Sequence, residues 1–208
     1  TTHGSAYISL RALEVLRDEA ALLERASAGW DAIASVAVDL REARPEMAVV
    51  RNRINRVIAE TTETGTPGAV FARTLEAIER ASDADRRAAA RAAEELSGAT
   101  VFTLSRSGTV FEALERGDPD RILVAESRPG SEGVGVADAL AERGFEVVLT
   151  GDANIPGAVA DADVVLLGAD TVLADGDVVN KVGSTAAALA GEYHDVDRFA
   201  VCSRDKIS

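Results

Sequence analysis

Val164-Val165-Leu166-Leu167-Gly168-Ala169-Asp170, followed ten residues on by Asn180-Lys181-Val182-Gly183, is the stretch whose reading decides the fold. The apolar run over 164–167 reads as a strand buried on both faces, the mark of a parallel sheet covered by helices. It delivers Gly168-Ala169-Asp170 to the carboxyl end, where open α/β sheets bind ligands. Asn180-Lys181 then opens a helix expected over 182–189. A carboxylate, an amide and an ammonium thereby meet near one helix N-terminus, which favours anions. The bland alternative is an Asx turn at Asp170, a polar turn over 174–177 and a solvated lysine.

The same alternation runs outward from this stretch. After Gly98, β-rich runs at 100–104, 122–125, 147–150, 164–167 and 199–201 are interleaved with helical patterns at 109–116, 134–143 and 182–192. Strand–helix alternation implies a parallel sheet with right-handed crossovers. Before Gly98 the spacing is helical. Ile8, Leu10, Leu13, Leu16, Ala20 and Leu23 mark a helix over 7–28, and 30–41 continues the pattern. Pro45 is placed to start a third helix through Met47, Val50, Ile54 and Val57 toward Glu60. Gly65-Thr66-Pro67-Gly68 breaks it. The segment 70–96 is expected to hold two helices jointed at Ser82-Asp83, with Ser82 as an N-cap. The expected fold is α/β: an N-terminal helical domain, 1–97, followed by a Rossmann-like parallel sheet with helices on both faces, 98–208.

Charge narrows the function. The chain holds 22 Lys+Arg against 35 Asp+Glu, for a net charge of −13, and Lys181 and Lys206 are its two lysines. With 47% hydrophobic residues it is not a disordered chain. An acidic, lysine-poor composition fits a halophilic protein, in which salt screens self-repulsion; a GC-rich genome is the plainer source. Direct nucleic-acid binding and anionic membranes are not expected, because a phosphate polymer needs a basic face. One cysteine, Cys202, excludes an internal disulfide, and two histidines are too few for a His-rich metal site. No metal and no cofactor are expected. Lacking a spanning apolar stretch or a signal peptide, the chain is expected to be cytoplasmic. The start at Thr1 without methionine reads as a fragment or a processed product.

Four expected strand ends carry small and polar residues. Ser105-Arg106-Ser107-Gly108-Thr109 follows the first strand and exposes N–H groups and hydroxyls able to hold a phosphate. Glu126-Ser127-Arg128-Pro129-Gly130-Ser131-Glu132-Gly133 follows the second, and Thr150-Gly151-Asp152-Ala153-Asn154 the third. Each alone is as readily a cap or a turn. Their convergence on one sheet edge raises the prior for a ligand site.

The segment 99–208 closely resembles the family that joins the alpha, beta and delta regulatory subunits of translation initiation factor 2B with two sugar-phosphate isomerases. Those isomerases act on ribose 1,5-bisphosphate and on methylthioribose 1-phosphate. The matching motifs are Thr103-Leu104-Ser105-Arg106-Ser107-Gly108, Glu126-Ser127-Arg128-Pro129 with Glu132-Gly133, Gly168-Ala169-Asp170, and Asp175-Gly176-Asp177 through Asn180-Lys181 to Gly183. The ending Val201-Cys202-Ser203-Arg204-Asp205-Lys206-Ile207 is similar to the Cys-Glu-Thr-Tyr-Lys-Phe signature of the initiation-factor and ribose-bisphosphate branch. His3-Gly4-Ser5-Ala6 and Ala43-Arg44-Pro45 are weaker matches to ligand-facing turns.

The resemblance implies a ligand-binding set of Gly4, Ser5, Arg44, Ser107, Gly108, Arg128, Glu132, Gly133, Asn180 and Lys181. Asp170 is then the candidate acid/base. Ser105 stands where the isomerases carry a cysteine. A thiol can be tuned toward neutral pH, whereas a serine hydroxyl titrates far too high without a dedicated base. Glu132 replaces a substrate-contacting glutamine and repels a bisphosphate unless Arg128 or Lys181 compensates. The resemblance therefore implies a kept pocket and a lost thiol chemistry: a regulatory-type protein binding a phosphorylated sugar or nucleotide. The alternative is an aldose–ketose isomerase, an intramolecular oxidoreductase, in which Asp170 works through water or a neighbouring group. A structural subunit with a vestigial pocket is the third reading. A homodimer or higher homo-oligomer through the α/β domains, with initiation factor 2 as a candidate partner, completes the expectation.

Overall fold

Apolar residues at helical spacing fold the first half into four helices: α1 (Ser5–Arg25), α2 (Trp30–Glu42), α3 (Ala48–Thr61) and α4 (Pro67–Ala93). The structure is a computed structural model and describes residues 4–45 and 47–208. Leu13, Leu16, Ile33, Val49, Ile54, Val57 and Val70 have no exposed surface and form the centre of this helical core. At the start of α4 the Thr66 hydroxyl accepts the Ala69 N–H and Pro67 occupies the first turn.

Two expectations are corrected here. Pro45 lies outside α3, which starts at Ala48 with Met47 in the capping position. The joint at Ser82-Asp83 does not exist, because α4 runs unbroken through both residues. Serine and aspartate cost a helix only a few tenths of a kcal/mol, far less than proline. Asp83 pairs with Arg87 one turn on, and Ala81 is buried in the helical core. Packing on both sides of the site decides for a continuous helix. The same helix also reaches the sheet, where Ala89 joins a second core.

The second half alternates β1 (Thr100–Leu104), α5 (Gly108–Gly117), β2 (Arg121–Ala125), α6 (Glu132–Ala141) and β3 (Val147–Thr150). After a 3₁₀ turn (Asp152–Asn154) come α7 (Ile155–Ala160), β4 (Val164–Gly168), the short strands β5 (Thr171–Val172) and β6 (Val178–Val179), α8 (Ser184–His194) and β7 (Asp197–Val201). A last 3₁₀ turn spans Arg204–Lys206. The main sheet has the order β3-β2-β1-β4-β7 and is parallel throughout.

Side chains alternate across it as a period of two requires. Val101, Ile122, Val124, Val164 and Leu166 pack under α4, α5 and α6. Phe102, Leu104, Leu123, Ala125 and Val165 pack under α7 and α8. The central strands β1, β2 and β4 are covered on both faces, which is why they read as apolar runs, whereas the edge strands β3 and β7 are largely exposed. The strand order reverses between β1 and β4: β2 and β3 lie on one side, β7 on the other. That reversal point is where ligands bind on such sheets.

Candidate functional site

A cavity of about 120 Å³ opens at the reversal point. The turn after β1 contributes Leu104 to Gly108, and the end of β4 contributes Gly168, Ala169 and Asp170. Asn180, Lys181, Glu132, Lys206, Met47 and the start of α1 (Gly4, Ser5, Ala6) complete the lining.

Local geometry explains each placement. Ser105 takes a left-handed φ of 59°, and its N–H donates to Ser127 Oγ at 2.6 Å. Such a φ is uncommon outside glycine and is held here by the neighbouring strand end. Ser107 caps α5 by accepting the Val110 N–H. A Cβ on Gly168 would lie 2.9 Å from Ser107 Oγ, so glycine lets the ends of β1 and β4 close on one another.

The nine residues between Asp170 and Asn180 form a hairpin, and the polar turn expected over 174–177 is its tip. β5 and β6 pair antiparallel, Thr171 opposite Val179, and the Asp170 N–H donates to the Val179 carbonyl at 2.9 Å. The chain thus returns Asn180 and Lys181 beside Asp170. Asn180 Nδ2 donates to Ser184 Oγ at 2.9 Å, and α8 starts at Ser184, two residues later than expected.

Lys181 Nζ donates to Glu132 Oε1 at 2.6 Å. Burial pushes the Glu132 carboxyl up, but the Lys181 hydrogen bond and charge outweigh it, and the group sits below its ordinary range. Its second oxygen, Oε2, is buried without a hydrogen-bond partner among the described residues. Lys181, not Arg128, therefore balances this carboxylate.

Asp170, Ser105, Gly4, Ser5, Ser107, Gly108, Glu132, Asn180 and Lys181 thus border one cavity. Arg44, Arg128 and Gly133 do not line it. Arg44 is exposed at the end of α2. Arg128 is exposed and pairs with Glu126 at 3.0 Å. Asp152 accepts the N–H groups of Ser127 and Arg128 at 2.8 and 2.6 Å, so the third cluster builds a turn that holds this loop. Gly133 is a packing residue: a Cβ there would lie 1.8 Å from the Ala125 carbonyl oxygen. Gly133→Ala is expected to cost about 1–3 kcal/mol through overpacking, read as a lowered urea midpoint. His3 lies outside the described residues.

Sequence reasoning missed Arg106, Met47 and above all Lys206. The Lys206 side chain is buried, at 3% residue exposure, and Nζ donates to the Ala169 carbonyl at 2.5 Å. Burial pulls this ammonium below the usual lysine range, while the nearby Asp170 charge opposes that shift. The scarcity of lysine, which drew attention to Lys181, marked Lys206 equally.

Its backbone is clamped from two sides. Ile207 bridges Val172 of β5, and the Ser208 N–H donates to the Val172 carbonyl at 2.8 Å. From α3, Asn52 Nδ2 donates to the carbonyls of Asp205 and Ile207. Buried Arg53 donates to Asp205 Oδ2 at 2.9 Å and Ser9 Oγ at 2.8 Å, and also reaches Asp85 and Ser203.

Burial pushes the Asp205 carboxyl up, but the Arg53 hydrogen bond and the Arg53 and Arg56 charges hold it below its ordinary range. A depressed folded value means stability that is present above the unfolded pKa of about 3.9 and lost as pH falls through the folded one. Melting curves are therefore expected to fall more steeply below pH 4 for the wild type than for Asp205→Asn, which has no such group to protonate.

Charge in the cavity runs against the rest of the chain. Arg106, Lys181 and Lys206 face Glu132 and Asp170, three cations to two carboxylates, in a chain of net charge −13. Cys202 is half-buried, and burial pushes its thiol up, away from thiolate chemistry at neutral pH.

The model of the Initiation factor 2 subunit family matches residues 1–208. The chain belongs to this family. An eIF-2B subunit 2-like protein of Pyrococcus furiosus is 37% identical over 123 residues, 57% of this chain and 45% of the relative. A ribose 1,5-bisphosphate isomerase of Haloferax volcanii is 31% identical over 196 residues, 89% of this chain and 61% of the relative. The translation initiation factor eIF-2B of Pyrococcus horikoshii superposes with a TM-score of 0.87 at 26% identity, over 100% of this chain and 75% of that one. The chain spans about half the length of the first curated relatives it matches, 45% and 58%.

Proposed function

We propose that this chain binds a phosphorylated sugar or nucleotide in the cavity between β1 and β4, as a regulatory-type member of its family. The excess of cationic groups at the strand-order reversal of a strongly acidic chain carries the reading. The family includes proteins named for initiation factor 2B and for ribose 1,5-bisphosphate isomerase, so a phosphosugar pocket fits both lines. Among the described residues no side chain hydrogen-bonds the Ser105 hydroxyl, and a serine without a base does not replace a thiol acid. Homo-oligomerisation belongs to the same reading, supported by Val182 just before α8 and by Leu189 and Tyr193 on it, all three exposed. So does contact with initiation factor 2.

The test is isothermal titration of ribose 1,5-bisphosphate and of AMP in multimolar potassium chloride, the medium to which the −13 charge is suited. Saturable heat with either ligand is expected. A folded protein that takes up neither would overturn the binding reading.

One observation favours a second reading, an aldose–ketose isomerase. Lys206 puts a buried ammonium on the same cavity as Asp170.

A further inference from the structure

A groove of about 810 Å³ lies where α3, α4 and the last 3₁₀ turn meet, and it shares no residue with the cavity between β1 and β4. Five arginines border it: Arg56 from α3, Arg80, Arg87 and Arg91 from α4, and Arg204 from the turn. Two carboxylates, Asp83 and Asp205, face them in a chain of net charge −13. Ala84 and Ala88 also line the groove and share a helix face with the α4 arginines, so a ligand can approach the helix closely between them. From Arg80 to Arg91 that face rises about 16 Å.

Most of these guanidiniums are held loosely. Arg87 pairs with Asp83 and Arg91 with Glu94 on an exposed helix face, and Arg80 reaches Glu60 at 3.2 Å. Exposed pairs of this kind contribute little and give way to a better anion. Arg204 is exposed and has no ion-pair partner among the described residues.

We propose that this groove binds a small linear anion carrying two or more linked phosphates, and that its occupation is felt in the first cavity through the last turn. Guanidinium groups hold phosphate oxygens through paired N–H donors. Arginines spread over three helical turns suit charges strung along a chain, whereas a lone phosphate meets only one or two of them. None of the lining residues is aromatic, so the groove offers no stacking surface to the bases of a nucleic-acid strand. The turn supplies the link. Asp205 lines the groove and is paired with Arg56 at 2.9 Å, and the next residue, Lys206, lines the first cavity. A phosphate that draws Arg56 from Asp205 and holds Arg204 acts on the two residues just ahead of Lys206. Each ligand then alters the affinity of the other by the same factor. Binding in the groove stands apart from the phosphosugar reading; the coupling rests on it.

Tripolyphosphate is the probe, titrated calorimetrically into the whole chain in multimolar potassium chloride, where the Debye length is about 3 Å or less and only direct contacts survive. The Lys181→Met chain is used beside the wild type, because its first cavity is weakened for anions. Saturable binding is expected in both. Arg204→Ser, which strands no internal partner, and Arg87→Ser are each expected to weaken it about tenfold or more. Cys202, the single cysteine, borders the groove, so bound tripolyphosphate is expected to slow its alkylation. Saturating tripolyphosphate is also expected to change the wild-type affinity for ribose 1,5-bisphosphate, and the change to vanish in Arg204→Ser. No uptake of tripolyphosphate by the folded chain, an Arg204→Ser variant that binds like wild type, or an unprotected Cys202 would overturn the site. Hexaglutamate binding where tripolyphosphate does not would give the groove to an acidic protein segment instead. An unchanged ribose 1,5-bisphosphate affinity overturns the coupling alone. If ribose 1,5-bisphosphate does not bind at all, the phosphosugar reading falls and the coupling with it, while the tripolyphosphate titration still decides the groove.

Discussion

Replacing Arg53 by methionine is expected to lower the unfolding free energy by about 3–5 kcal/mol. The guanidinium is buried, with 2% of its side chain exposed, and it joins α1, α3, α4 and the last 3₁₀ turn through Ser9, Asp85, Ser203 and Asp205. Methionine fills much of the volume but leaves Asp205, 9% exposed, facing one arginine in place of two. The loss measures mainly the stranded carboxylate, not the worth of the ion pair. Arg53→Met combined with Asp205→Asn should therefore recover part of it. Arg53→Lys should fall between, since a point charge cannot serve several partners in the plane of a guanidinium fork. Urea unfolding at neutral pH reads all three. A loss below about 1 kcal/mol for Arg53→Met would mean the cluster is solvated like a surface pair. Because Asp205 precedes Lys206, the same variant should also weaken ligand binding by letting the cavity lysine move.

The parts of the fold visible in the sequence are those whose signal is local. Strands β1 and β3 have the bounds their β-rich runs suggest, and α5, α6 and α8 begin or end within a few residues of the apolar pattern. Buried strands announce themselves through unbroken apolar runs. The misses are of another kind. β5 and β6 have two residues each, too few for an alternation to show. The six residues of α7 hold Pro156 and Gly157, which read as turn residues although proline suits a first helical turn. The continuity of α4 is decided by packing against two cores. Nothing local announces Arg53 and Asp205, which lie 152 residues apart.

The site divides in the same way. Asp170 was legible because a strand end places it, and Asn180 and Lys181 as a polar pair just ahead of a helix, although it is the β5–β6 hairpin that returns them beside Asp170. Arg44 and Arg128 were legible as residue types in suggestive turns, but side-chain direction is not written in a motif, and neither lines the cavity. Lys206 was visible as one of two lysines. Its place at the cavity depends on a chain path that returns beside β5, where Ile207 bridges Val172, a tertiary fact.

Lys181→Met is expected to weaken binding of ribose 1,5-bisphosphate by about 2–5 kcal/mol, roughly 30-fold to several thousandfold. Two effects add. The anion loses a cation at the cavity, and Glu132, 14% exposed on its side chain, becomes an unpaired negative charge facing it. Glu132→Gln should act in the opposite direction, because Lys181 is then released to the ligand and the repulsion disappears. Salt should compress the Glu132→Gln gain, since screening shortens the reach of both charges. The double variant separates the two effects. If most of the Lys181→Met loss is stranded repulsion, adding Glu132→Gln restores most of the affinity; if it is lost contact, the double variant stays weak. Calorimetry on all four proteins at two salt concentrations decides this. Equal affinity across the set would place the anion elsewhere, because no ligand seated beside Asn180 and Asp170 can be indifferent to both partners of a 2.6 Å ion pair on the same wall.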